Sequence, residues 1–279
     1  MKLNAENYSK YDHYPSQLDD EILRKTRFRS PLTEDKQVLE VGCGTGHFAR
    51  LFLLPHCRPC RRLVVTDLQP DMVEFAREHF PHEDIAHDVL DITTPDLTPF
   101  LDKYGKFDRV FSFLTFHMVR DHWAAYANIA KLLKDEGECL VAAYSSFDFA
   151  DVWEDVYKTP KWKGRIPDPR SVANPSFNFN RVKTAEQVEA EVRESVRGTG
   201  LECISCEVHD YSWKFDSMDA LLDMLLTVAP FKEIIPAEEW PDFVNLWAEL
   251  MHRKLSTKPG EPLELKYAYY VVHARRSAD

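Results

Sequence analysis

Val38-Leu39-Glu40-Val41-Gly42-Cys43-Gly44-Thr45-Gly46-His47 decides the fold. Four residues dominated by branched apolar side chains read as a buried strand. Glycines at three alternate positions follow, and then a helical pattern from His47 to Leu54, which we expect to stop before Pro55. Glycine has no Cβ and tolerates φ > 0, so such a junction lets backbone approach a ligand closely. It also aims the unpaired N–H groups of the helix N-terminus at whatever sits there.

Strand and helix patterns alternate outward from this junction. Arg62 to Thr66 is a second strand ended by Asp67, and Pro70-Asp71 opens a helix with Met72, Val73, Phe75 and Ala76 at helical spacing. Ile85 to Ile92 contains a third strand, and Phe107 to Phe113 is a fourth. Trp123 to Leu133 is an amphipathic helix presenting Tyr126, Ile129, Leu132 and Leu133, with Trp123 itself read as packing on that helix. Lys134 to Glu138 then turn into a fifth strand, Cys139 to Tyr144. This rhythm predicts an α/β fold with a parallel sheet covered on both faces.

Upstream, Asn4 to Ser16 is polar and tyrosine-rich, and a helix over about Gln17 to Phe28 has Ser16 as its expected N-cap. Downstream, Phe147 to Pro175 reads as an irregular or helical insertion. Thr184-Ala-Glu-Gln opens a helix with a capping box that closes near Gly198. Leu201 to Trp213 and Leu263 to Ala274 are strands, separated by two apolar helices, Asp216 to Val228 and Pro236 to Leu255. We expect one domain over 1–279, with a core at 36–145 and helical insertions at 146–198 and 214–262 that cap it.

Composition narrows the function. A net charge of −11 argues against nucleic acid as a partner. No apolar run approaches the ~18 residues of a membrane span. The polar start lacks a secretory pattern, so the expected compartment is cytoplasmic; no pattern speaks to an oligomeric state. Cys57/Cys60 and Cys203/Cys206 have C-x-x-C spacing. Cys203 and Cys206 lie in a strand, where positions three apart face opposite sides. We therefore expect reduced thiols and no metal.

The glycine loop excludes a dinucleotide. G-x-G-x-x-G would require glycine at 47, which is His47, and Glu40 would repel a pyrophosphate. Glu40 suits an ammonium instead. Asp67, about 20 residues beyond the last glycine, is placed to accept both ribose hydroxyls. Asp91-Ile92 offers an adenine edge and face. An amino acid, a ribose and an adenine without phosphate describe S-adenosylmethionine.

Over about Lys36 to Tyr144 the chain resembles the class I S-adenosylmethionine-dependent methyltransferases. The resemblance implies a Rossmann-like mixed sheet of seven strands, the last two antiparallel, and S-adenosyl-L-methionine as cofactor. It implies cofactor contacts from Glu40, Gly42, Gly44 and Gly46, from Asp67 and Leu68 at the ribose, from Asp91 and Ile92 at the adenine, and from Ser112 and Phe113.

Four further stretches are similar to the arthropod juvenile hormone acid methyltransferases. They are Ser112-Phe-Leu-Thr-Phe-His-Met-Val119, Asn128-Ile-Ala-Lys-Leu-Leu-Lys134, Ala229-Pro-Phe-Lys-Glu-Ile-Ile-Pro-Ala237 and Leu265-Lys-Tyr267. That likeness implies transfer to the carboxylate of a small apolar acid, such as farnesoic or juvenile hormone acid, in a slot walled by the insertions. It implies acceptor contacts from Gln17 and position 118; His117 beside them is read as orienting the acceptor or Gln17, or as a structural histidine. The family tryptophan at 118 is Met118 here, which has no N–H to donate. Another small-molecule oxygen or nitrogen acceptor, or cofactor binding without catalysis, stays open on these residues.

Overall fold

The computed structural model describes residues 3–255 and 263–277. The end of the second expected insertion, 256–262, lies outside the described residues. Seven strands form one sheet in the order β3-β2-β1-β4-β5-β7-β6. They are β1 (Gln37–Val41), β2 (Arg62–Asp67), β3 (Ile85–Val89), β4 (Phe107–Phe113), β5 (Leu133–Phe147), β6 (Leu201–Phe215) and β7 (Leu263–Arg276). The first five pair in parallel, whereas β7 runs antiparallel to both β5 and β6. The fold is the expected α/β, Rossmann-like mixed sheet.

Side-chain alternation divides the core. Leu39 and Val41 of β1 join Val110 and Val141 on one face, packed on α5 (Thr98–Tyr104), α6 (His122–Leu132) and α9 (Ala185–Val196). Val38 joins Phe111 and Leu140 on the other, beneath α2 (His13–Lys25) and α3 (Leu54–Cys57). Every residue of β1 is buried, as a central strand requires. The chain leaves β1 toward β2 and β3 on one side and returns through β4 on the other. The crevice at the carboxyl ends of β1 and β4 is therefore a topological switch point, where ligands of such sheets bind. The helix α4 (Pro70–His79) follows β2.

A third apolar cluster stands apart at this end of the sheet. It joins α7 (Asp148–Lys158), α10 (Met218–Val228) and α11 (Trp240–Leu255) through Trp153, Trp162, Phe231, Phe243 and Trp247. The short α8 (Pro169–Val172) lies beside it. The N-terminal α1 (Ala5–Ser9) reaches both regions: Leu3 N–H donates to Gln69 before α4, and Tyr11 donates to Asp223 of α10. No helix among the described residues is long and apolar enough to cross a membrane.

Several local expectations need correction. The first long helix starts at His13 rather than Gln17 and ends at Lys25; Pro15 falls within its first turn, where no intrahelical N–H is needed. The helix after the glycine loop does not stop before Pro55. A π-turn at Ala49–Leu53, with Leu54 N–H on Ala49 O, loosens the ladder just ahead of the proline, and α3 continues to Cys57. The fifth strand begins early, Leu133 pairing with Phe107 before an irregularity over the expected turn. Trp123 is 55% exposed rather than packed.

Cys203 and Cys206 face the same side, because a bulge between Cys203 and Ser205 turns Ile204 outward. Both pack against the α9 face, with Arg193 on the Cys203 sulfur at 3.4 Å; Cys57 and Cys60 belong to the opposite face. All six cysteines are free, and no metal-binding cluster occurs among the described residues.

The capping box at Thr184 forms in full, Thr184 accepting from Gln187 N–H and Gln187 from Thr184 N–H. Thr184→Ala should cost about 1 kcal/mol and lower the thermal midpoint by about 2–4 °C, read by calorimetry.

Candidate active site

The glycine loop is held by contacts that need its missing side chains. Gly42, at φ +81°, lies so close to Thr115 that a Cβ would stand 2.1 Å from the Thr115 hydroxyl. A Cβ on Gly46, at φ +83°, would fall 2.7 Å from Ala76 Cβ on α4. Gly44 is different: at φ +53° it has open space around it, and its N–H donates to Asp67 at 3.0 Å. Asp67 also accepts from Gln69 N–H at 2.9 Å, so the end of β2 is tied to the loop after β1.

Above the loop lies a cavity of about 730 Å³. Glu40, Gly42, Gly44, Asp67, Leu68, Asp91, Ile92 and Phe113 all line it. Gly46 and Ser112 do not. Gly46 is taken up by packing on α4, and the Ser112 hydroxyl donates to Val41 O at 2.8 Å, bracing the floor from below.

This cavity is more acidic than the sequence suggested. Asp12 and Asp19 of the N-terminal region join Glu40 and Asp67 in its wall. Burial, then Asp67, pushes Glu40 up to about 8. Burial and Glu40 hold Asp19 well above the usual carboxylate range. Burial also raises Asp12, to about 6, although the Thr45 hydroxyl at 2.6 Å favours its charged form. One oxygen each of Asp19 and Glu40 is buried with no hydrogen-bond partner. Two carboxyl groups with orphaned oxygens, both in the wall of one polar cavity, call for a cationic occupant with N–H groups to donate.

The signal for Asp12 and Asp19 was their spacing. Residues 12, 15, 16 and 19 share one helical face, and all four line the cavity. Gln17 falls off that face. It is exposed and lines neither cavity, so the expected acceptor contact is not formed.

A second cavity, of about 220 Å³, adjoins the first. Leu3, Tyr8, Pro15, Leu114, Met118 and Val172 belong to both walls, so Met118 sits at their junction. The rest of this wall is strongly apolar and aromatic, including Tyr144, Phe147, Trp153, Phe177 and Trp213. Met224 and Leu225 of α10, in the second insertion, line it too, whereas Phe231 and Trp240 pack inside the third core cluster. His117 also lines it; burial, then His122, pulls its pKa down to about 4, so the ring is neutral at pH 7.

Comparison with known proteins agrees with this arrangement. Residues 39–141 match the family described as "Methyltransferase domain". The juvenile hormone acid O-methyltransferase of Bombyx mori is 29% identical over 86% of this chain and 85% of its own. The enzyme of the same name from Drosophila melanogaster is 26% identical over 93% and 86%. Residues 39–141 carry a class I S-adenosylmethionine-dependent methyltransferase domain. The chain's sequence stands close to the juvenile hormone acid O-methyltransferases. The YcgJ protein of Bacillus subtilis shares the fold, with a TM-score of 0.54 at 15% identity, covering 96% of this chain and 100% of that one.

The carboxylates make the ligand-free methyltransferase sensitive to pH. A carboxyl whose pKa is higher folded than unfolded supports folding below its unfolded value, and that support is lost as pH rises through the folded value. For Glu40 the window runs from about 4.3 unfolded to about 8 folded. Without ligand, Glu40→Gln should therefore melt above the wild type at pH 8, the gap shrinking toward pH 5 in thermal scans.

Proposed function

We propose that this methyltransferase esterifies the carboxylate of a small apolar acid, isoprenoid or fatty, with farnesoic and juvenile hormone acid as the type substrates. One observation carries the reading: an acid-lined cavity with unpartnered carboxylate oxygens opens onto an aromatic cavity, and Met118 forms part of both walls. The names of the Bombyx and Drosophila relatives support the same acceptor class.

On this reading Glu40 and Asp19 receive the cofactor's ammonium, and the Gly42–Gly46 loop follows its methionine chain. Asp67 accepts from the ribose hydroxyls beside Leu68. Asp91 and Ile92 meet the adenine, Phe113 closes the inner wall, and Ser112 and Gly46 hold the loop in place. Residues 1–279 form one methyltransferase domain whose segments 146–198 and 214–262 cap the acceptor.

S-adenosylmethionine supplies a methyl group on a sulfonium: a C–O bond forms as the C–S bond breaks, sulfur keeps the electron pair, and no proton moves. A carboxylic acid is already ionised at pH 7, so no general base is required. The chain's own residues have two tasks. They align a carboxylate oxygen about 3–3.5 Å from the methyl carbon, and they exclude water from the junction.

Incubation with labelled S-adenosylmethionine and a panel of isoprenoid and fatty acids should yield labelled methyl ester; no ester from any acid would sink this acceptor. Asp67→Asn should weaken cofactor binding about 10- to 100-fold, measured by calorimetry.

A second reading keeps the cofactor and changes the acceptor to a neutral oxygen or nitrogen. It is favoured by Met118 and by the lack of Lys or Arg among the described residues lining the aromatic cavity. Alcohols and amines in the same panel decide between them.

A further inference from the structure

With Gln17 on the solvent face and a thioether at 118, neither group that the family resemblance assigns to the acceptor is there to bind a carboxylate. We propose that Tyr144 and His117 form the acceptor clamp, the Tyr144 hydroxyl and the Nε2–H of His117 both donating to the carboxylate where the cavities meet. This rests on the carboxylic-acid reading above.

The two side chains converge from different elements. Tyr144 stands near the end of β5, on the face that carries Leu140 and Ala142, and His117 on the turn after β4. Their ring centroids are 4.9 Å apart at 58°, and both line the aromatic cavity. The titratable neighbours of Tyr144 are Tyr267 on the core side and Tyr8 and Asp19, which line the acidic cavity, so the side chain stands close to both cavities.

Four other polar residues of this wall, Tyr11, Trp153, Tyr8 and Trp213, are engaged or face elsewhere. The Tyr11 hydroxyl donates to Asp223, and Trp153 Nε1 donates to Pro167 O at 2.9 Å. Tyr8 faces Asp12, Asp19 and Asp67, surroundings that repel an anion. Trp213 packs against Tyr14 and Phe147 rather than His117. The Tyr144 hydroxyl has no partner among the described residues and is not shut off from the cavity.

His117 Nδ1 is shut off and unpartnered. A neutral ring has one N–H; placing it on Nε2 puts the donor on the edge with room for a partner. Burial also holds the Tyr144 phenol far above its ordinary pKa, so it keeps its proton. Two neutral donors suit this reaction. They orient the anion without a fixed positive charge that would oppose the sulfonium beside it, and their bonds weaken once the carboxylate becomes a neutral ester.

The test is calorimetric titration of farnesoic acid into the protein loaded with S-adenosylhomocysteine, with steady-state kinetics alongside. Tyr144→Phe and His117→Leu should each weaken acid binding and raise its KM about 10- to 100-fold, the loss of one hydrogen bond to a charged group. Affinity for S-adenosylmethionine, the thermal midpoint and the binding of farnesol should not move. His117→Gln, whose amide nitrogen reaches the Nε2 position, should restore most of the loss. Wild-type acid binding with unchanged affinity in both variants overturns the clamp alone. Wild-type protein that binds no acid overturns the carboxylic-acid reading together with it.

Discussion

The contact between Gly42 and Thr115 fixes more of this molecule than any other. No side chain fits at 42, because Thr115 occupies the place where a Cβ would go. The Thr115 hydroxyl instead donates to the carbonyls of Gly42 and Phe113, at 3.2 and 3.1 Å. The end of β1 is thereby locked to the loop after β4, the two strands that flank the switch point. On one side of the lock lies the floor of the acidic cavity. On the other begins the short turn Phe116–Met118, which carries His117 and Met118 to the aromatic cavity. One close backbone approach thus sets the distance between two binding spaces.

Electrostatics separate the site from the scaffold. The fold satisfies buried carboxylates readily elsewhere. Glu138 accepts from Arg29 N–H at 3.0 Å and pairs with His273 at 2.7 Å, and its pKa is held low. Asp151 takes Lys254 at 2.6 Å and Asn180 N–H at 2.7 Å. Asp148 takes Lys266 N–H at 2.8 Å. Against that background, the orphaned oxygens of Asp19 and Glu40 are a local exception among the described residues, and both residues line the same cavity. Groups that lower stability when nothing is bound and are satisfied by a cation belong to a binding site.

Much of the architecture could be read from the chain because its signals are local. The alternation at β1, the glycines, the Pro70 helix start and the Thr184 capping box each depend on neighbours a few residues away. They predict elements that the structure contains. Tertiary geometry overruled local reading elsewhere. A single bulge reversed the facing of Cys206 relative to Cys203, and a π-turn carried a helix past Pro55. At the site, residues close to the glycine loop in sequence were identifiable by type and spacing. Asp12 and Asp19 left only a helical spacing with nothing local to say what it faced, and Tyr144 left no signal, since it reaches the site from β5 through the packing of the whole sheet. Gln17 was assigned from the family resemblance rather than from local pattern, and in α2 it lies off the face that Asp12, Pro15, Ser16 and Asp19 turn to the cavity.

The acceptor side follows from the meeting of three parts of the chain. The N-terminal segment supplies Tyr8 and Pro15, the turn after β4 supplies Met118, and the insertions supply Val172, Trp153 and Leu225. Sulfur on a flexible chain at 118 forms a soft wall where an indole would be a rigid hydrogen-bonding one. On the proposed reading, shape selection falls to the aromatic rings and orientation to the donors within reach. Because Met118 also lines the acidic cavity, its packing bears on both ligands at once. On that reading, acceptor and cofactor are therefore coupled through the side chains of the shared wall, Met118 among them.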